Sequence, residues 1–246
     1  APEQPPAAAR TRPAGASGEQ APAAEGLASK LICRVRPCNN PSQAYRVLER
    51  EARIQVVPNS SSPGEHVHFD HVLASGDPRE QEEAFELVRP GVLGCFRGGS
   101  CTVVAHGGPG SGKTYLLSGL FNNKEMQGLV PRAIRLIEDV LQSRRCSNVV
   151  AVESSFFEIV NDEAYDLIKV GNQRVGLQEL AEPPFLALDR NLACQRSEDG
   201  GRLLDAYFTG LERRRRSSQS HSCFQIAFVH GDGRPRSYLR FVKVGW

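Results

Sequence analysis

No stretch of this 246-residue chain is apolar over the length needed to cross a bilayer, and its first residues do not read as a signal peptide, so none is expected. No Cys-x-x-Cys pair occurs among the seven cysteines at positions 33, 38, 95, 101, 146, 194 and 223. An odd number, scattered and partly inside apolar runs, argues against a disulfide framework. It reads as free thiols of a reducing compartment, so a cytoplasmic address is expected. There is also no excess charge of one sign: 30 basic residues face 28 acidic ones, for a net +2. A dedicated nucleic-acid binder would carry a strongly basic footprint, so no nucleic-acid partner is expected. Residues 1–26 hold nine Ala and five Pro and no bulky apolar residue. Such a segment cannot bury enough surface to offset its ordering entropy, so residues 1–27 are expected to be disordered and residues 28–246 to fold. No internal repeat is visible.

What is present is an ordinary globular composition, 40% hydrophobic and 24% charged, long enough for one large domain with a substantial core. One motif stands out. Gly107-Gly108-Pro109-Gly110-Ser111-Gly112-Lys113-Thr114 satisfies the phosphate-loop template of Gly, four residues, then Gly-Lys-Ser/Thr. It follows directly on the apolar run Cys101–Ala105, which reads as a strand. A strand that ends in such a loop, with a helix starting at its far end, presents backbone N–H groups and a favourable partial charge to a polyphosphate. In this arrangement Lys113 reaches the β- and γ-phosphates and the Thr114 hydroxyl ligates Mg2+.

The remaining pattern alternates strands and helices around that loop, which predicts a three-layer α/β domain. Strands are expected at Leu31–Val35, Tyr45–Leu48, Ile54–Val57, Val67–Phe69, Val149–Phe157, Phe224–Val229 and Tyr238–Val244. The last two flank the hairpin turn 230–235. A helix is expected over Gln81–Phe96, where Phe85, Val88, Val92 and Phe96 share a face and Pro90 should bend it or cost a hydrogen bond. A second is expected from Pro131, in the first-turn position, with Ile134, Ile137 and Leu141 on one face. Residues 161–168 and Leu203–Gly210 read as short helices. The basic run Arg213–Arg216 reads as a solvated loop face. His66, His68 and His71 read as an exposed strand edge, with no nearby Cys to complete a metal site.

Several segments together resemble the kinesin motor domain, in the family's order and close to its spacing from about residue 29 to residue 242. The phosphate loop resembles Gly-Gln-Thr-Gly-Ser-Gly-Lys-Thr, and Cys33-Arg-Val-Arg-Pro37 resembles the first-strand signature. Phe69-Asp70 resembles the Phe-Asp segment, and Gly128-Leu-Val-Pro-Arg132 resembles Gly-Ile-Ile-Pro-Arg. Phe156-Phe-Glu-Ile-Val-Asn161 with Asp166-Leu-Ile resembles a further strand and helix. Ser217-Ser-Gln-Ser-His221 resembles switch I. The resemblance implies a P-loop NTPase fold with a central mixed sheet flanked by helices. It also implies ATP or ADP with Mg2+, microtubules (tubulin) as partner and a cytoskeletal address. It places Arg34, Pro37 and Tyr115 around the adenine, and Ser217 and Ser218 over the γ-phosphate, with Ser218 joining Thr114 at the metal.

The departures are specific. The switch I arginine is replaced by Gln219, and the segment between Gly210 and Ser217 is shorter than the family's, with Arg214 in an asparagine position. Lys243 stands where the strand entering switch II carries aspartate. The switch II glycine and glutamate, and what the family places beyond them, do not follow before Trp246. A cation beside Mg2+ would repel it, and phosphoryl transfer depends on positioning and electrostatics. Binding is therefore expected to survive, while hydrolysis and motility are expected to be impaired. The stretch from Val175 to Asp189 lacks Lys and Arg and carries Glu179, Glu182 and Asp189, which offers no attraction to an acidic microtubule surface. The alternatives are a nucleotide-binding scaffold or adaptor without motor function, or an unrelated P-loop ATPase.

Overall fold

The structure is a computed structural model that describes residues 29–37, 45–57, 64–77, 79–120, 122–143, 148–171, 174–175, 193–198, 200–214 and 219–245. Its elements in chain order are β1 Ile32–Arg34, β2 Tyr45–Leu48, β3 Arg53–Val56, β4 His66–His68, β5 His71–Leu73 and α1 Glu80–Cys95. They continue with β6 Cys101–Ala105, α2 Lys113–Ser118, α3 Leu129–Gln142, β7 Val149–Val160, β8 Glu163–Asp166 and β9 Arg174–Val175. Last come β10 Gln195–Ser197, α4 Leu203–Arg213, β11 His221–His230 and β12 Ser237–Lys243.

The main sheet is mixed, in the order β6-β12-β11-β7-β8-β9 with β10 also on β7. β12 runs parallel to β6, whereas β11 is antiparallel to both β12 and β7. Alternation sorts the side chains. Phe224, Ile226 and Phe228 of β11, Leu239 and Phe241 of β12, and Val152 and Phe156 of β7 are each at most 2% exposed. They pack with apolar residues of α1, α2, α3 and α4 into one core. Each such side chain contributes about 1.5–3 kcal/mol through burial. Sheet and helices together are the mixed α/β fold that the sequence implies. Two small sheets accompany it, β1 with β5 in parallel and β2-β3-β4 antiparallel. The Asp70 carboxylate accepts a hydrogen bond from the Leu31 backbone N–H at 2.6 Å, tying the Phe-Asp segment to the start of β1.

Pro90 lies inside α1 on its exposed side, so the carbonyl of Glu86, also exposed, can turn to water. α3 starts two residues before the expected position, with Gly128 as its cap, yet Pro131 stays within the first turn, where backbone N–H groups lack helical partners. Residues 161–168 are not a helix, which corrects the sequence reading. Asn161 and Asp162 have φ of 50° and 60°, and this left-handed pair turns the chain from β7 into β8. Such a turn matches the twist of a hairpin, and Asn and Asp tolerate it. Asp166 then caps the next turn, its Oδ1 accepting from the N–H groups of Ile168 and Lys169 at 2.8 and 3.0 Å.

His66 and His68 sit exposed on β4, an edge strand. Among the described residues no helix is long and apolar enough to cross a membrane. Ser217, Ser218, residues 176–192 and Trp246 lie outside the described residues.

Candidate functional site

β6 delivers the chain into the loop 106–112, and α2 begins at Lys113. The loop needs its glycines. Gly110 and Gly112 have φ of 74° and 97°, and a β-carbon at Gly112 would lie 3.0 Å from an Arg34 guanidinium nitrogen. Gly108 has open space around its α-carbon, and Pro109 is exposed at the loop's crest. The Ser111 hydroxyl is buried with no hydrogen-bond partner among the described residues. Lys113 Nζ donates to the carbonyls of Gly107 and, at 2.9 Å, Gly108. Its ammonium is thus held in the mouth of the loop it belongs to. Arg36 donates to the Gly110 carbonyl from the other side.

α2 is only six residues long and ends at Gly119, which bridges to Gln127. Gly128 explains its own identity: a β-carbon there would lie 2.5 Å from the Leu117 backbone. Arg132 completes the crossing, Nε donating to the Gln127 carbonyl at 2.8 Å and Nη2 to that of Glu125 at 2.8 Å. The segment Gly128–Arg132 therefore clamps the helix after the phosphate loop against α3.

On one side of the loop the guanidinium of Arg34 stands 5.0 Å from the centre of the Tyr115 ring. Its Nε is 2.5 Å from Glu80 Oε1, and Glu80 is 2% exposed. Glu80 Oε2 in turn accepts from the Gly76 N–H at 2.8 Å. Gln81 donates to the Tyr115 carbonyl at 2.9 Å. Pro37 packs against Gly76, where a β-carbon would come within 2.7 Å of its ring. Arg34, Pro37 and Tyr115 are thus brought to one side of the loop. Glu80 and Gln81, which hold two of them, carried no sequence signal beyond acidic residues at a helix start.

Beside α2 lies a small cleft, lined by the apolar side chains of Leu117, Phe156 and Phe224 and by Thr114, Ser118, Tyr207, Arg214, Ser222 and Lys243. The Ser118 hydroxyl and Tyr207 phenol are 2.7 Å apart, and burial pushes that phenol up to about 12. Lys243 closes β12 directly beside Ala105 of β6, in register with Ser222, which is in register with Glu158 of β7. Burial first, then Arg214 and Lys113, pull the Lys243 ammonium down to about 8, against the opposing effect of Glu158. Arg214 Nε is buried with no hydrogen-bond partner among the described residues. A cluster of cations with an orphaned donor beside a phosphate loop suits an anion. Val244–Gly245 then crosses the start of β11: the Gly245 N–H donates to His221 Nδ1 at 3.3 Å, and a β-carbon there would meet the Gln219 backbone at 2.6 Å.

These residues fit a nucleotide polyphosphate. The described residues do not fit Mg2+, a hard cation that prefers carboxylate and other oxygen ligands. Thr114 offers one hydroxyl, while the charges grouped around the cleft are Lys113, Arg214 and Lys243, with Glu158 behind Lys243. Among the described residues, no group of three or more His, Cys, Asp or Glu could hold a metal.

The family described as kinesin motor domain matches residues 10–237. The match ends before most of β12, so the position of Lys243 rests on strand register. The chain is similar to kinesin-like protein 3 of Schizosaccharomyces pombe, 30% identical over 61% of this chain and 27% of that protein. It is similar to kinesin-like protein KIN-14J of Arabidopsis thaliana, 29% identical over 86% of this chain and 21% of that protein. Chromosome-associated kinesin KIF4 of Gallus gallus is 31% identical over 64% of this chain and 14% of its own length. The chain thus spans about a quarter or less of each relative.

Proposed function

The chain belongs to the kinesin motor domain family, a family of microtubule motors that bind nucleotide with Mg2+, and from that membership we propose that it holds ATP or ADP in the loop 107–114 and turns it over poorly. The observation that supports this most is the loop's position between two unlike environments. An aromatic–guanidinium pair, Arg34 and Tyr115, lies on one side and the cations Lys113, Arg214 and Lys243 lie on the other. A base stacks on the first and phosphates are neutralised by the second.

In this reading Lys113 exchanges the carbonyls of Gly107 and Gly108 for phosphate oxygens, and the backbone from Gly107 to Gly112 wraps the chain of phosphates. Arg34, oriented by Glu80, and Pro37 flank the adenine, with Tyr115 beside Arg34 against the base. Ser217 and Ser218 would close over the terminal phosphate, and Thr114 and Ser218 are the groups that the resemblance assigns to the metal. Hydrolysis is impaired because Lys243 replaces a carboxylate and Gln219 replaces the arginine of the closing ion pair; an in-line water needs both sides of that constellation. Motility on microtubules is weakened with it, while the cytoplasm and the cytoskeleton remain the place of action. Lys243 also favours a second reading, a nucleotide-stabilised scaffold or adaptor that binds partners without a working cycle.

A thermal shift tests the binding claim. ATP at about a hundredfold above its dissociation constant stabilises by about 2.7 kcal/mol, which raises the melting temperature by about 5–10 °C. Lys113→Ala should abolish the rise. No rise for the wild type, or an unchanged rise in the variant, removes the nucleotide site.

A further inference from the structure

We propose that the cleft beside Thr114 binds the terminal phosphates of its nucleotide without a divalent cation, the Lys243 ammonium with Arg214 standing in for the metal. This rests on the nucleotide reading above and adds to it how the charge is balanced. A divalent cation held by one carboxylate carries the same net charge as one ammonium. A lysine in place of that carboxylate therefore supplies the metal's electrostatic share by itself.

Four observations carry the argument. Lys243 sits beside Ala105, the residue from which the chain enters the phosphate loop, so its side chain starts at the loop's base. It lines the same cleft as Thr114 and Arg214. Arg214 keeps a buried Nε with no hydrogen-bond partner among the described residues, as a site awaiting an acceptor would. The charges acting on Lys243 are two cations, Arg214 and Lys113, and one anion, Glu158. Glu158 is fully buried on β7, across Ser222 from Lys243, where it can hold the ammonium in place without filling the cleft. A divalent cation entering here meets repulsion from three cationic groups, whereas phosphate oxygens meet charge-assisted donors.

Calorimetric titration with ATP, in EDTA and again in excess Mg2+, decides the matter. The wild type should bind ATP in EDTA with an affinity within about threefold of that in Mg2+. Lys243→Asp should lose about tenfold or more in EDTA and recover with Mg2+, since a charged hydrogen bond to phosphate is removed and a carboxylate ligand restored. If Lys243→Asp does not fold, Lys243→Met keeps the volume and should show the same loss in EDTA; melting curves report folding of both. ATP binding by the wild type that requires Mg2+, or variants that bind as well as the wild type in EDTA, overturns the proposal and leaves the nucleotide site standing. No ATP binding in either buffer overturns both.

Discussion

Arg34 and Tyr115 meet beside the phosphate loop, guanidinium over ring at 5.0 Å, although they come from β1 and α2. Neither is free to drift. Glu80 grips Arg34 from the start of α1, and Gln81 holds the Tyr115 backbone from the next position along. One helix end thus fixes both members of the pair proposed to stack on the base. That kind of preorganisation lowers the ordering cost of binding.

Removing the ring should separate base from phosphate recognition. Base–aromatic stacking is worth about 1–3 kcal/mol, so Tyr115→Ala should weaken ATP by about tenfold. Binding of inorganic tripolyphosphate, measured by the same competition assay, should stay unchanged. Equal losses for both ligands would mean that Tyr115 supports the loop and not the base.

The clamp behind the loop makes a stability prediction. Gly128 has an ordinary φ of −80°, so alanine there is not strained by conformation. Its β-carbon would still sit 2.5 Å from the Leu117 backbone, which cannot swing aside as a side chain can. Gly128→Ala should cost about 2 kcal/mol, seen as a lower urea midpoint with an unchanged slope. A midpoint equal to the wild type would show that α2 and α3 are not held this closely.

Alkaline pH should loosen the core. Burial raises the Cys95 and Cys223 thiols from 9.0 to about 12, and the Tyr207 phenol from 10.0 to about 12. All three are favoured neutral in the folded chain. Their contribution is complete below about pH 9 and is lost as pH rises through the window from 9 to 12, because the unfolded chain gives up these protons first. Urea midpoints should therefore fall steadily above pH 9, and Cys223→Ala should flatten the fall. A wild-type midpoint that does not move between pH 8 and pH 11 would contradict this.

The loop and its strand were legible in the sequence because their signal is local: spaced glycines, one lysine and an apolar run. The hydrophobic faces of α1 and α3 were legible for the same reason. β8 was misread as helix because Asn161 and Asp162 suit a capped helix start as well as a left-handed hairpin turn, and only pairing with β7 decides between them. β9 and β10 are too short to show a period. Glu80 and Gln81 meet Arg34 and Tyr115 only through contacts between residues far apart along the chain, and the orphaned Nε of Arg214 likewise shows only in the fold, so no local pattern reveals them. The expectation that Lys243 stands in place of the family's aspartate concerns a residue beyond the matched segment 10–237. That Arg214 and Lys113 also bear on Lys243 emerged only from the sheet register and the cleft.

The most direct test of the whole account compares holding with turnover on one preparation. ATP binding by calorimetry and phosphate release with and without microtubules should be measured side by side. The account predicts clear ATP binding, lost in Lys113→Ala, with phosphate release at background whether or not microtubules are present. Microtubule-stimulated release that disappears in Lys113→Ala would contradict it, and would show that Lys243 and Gln219 leave a working motor site.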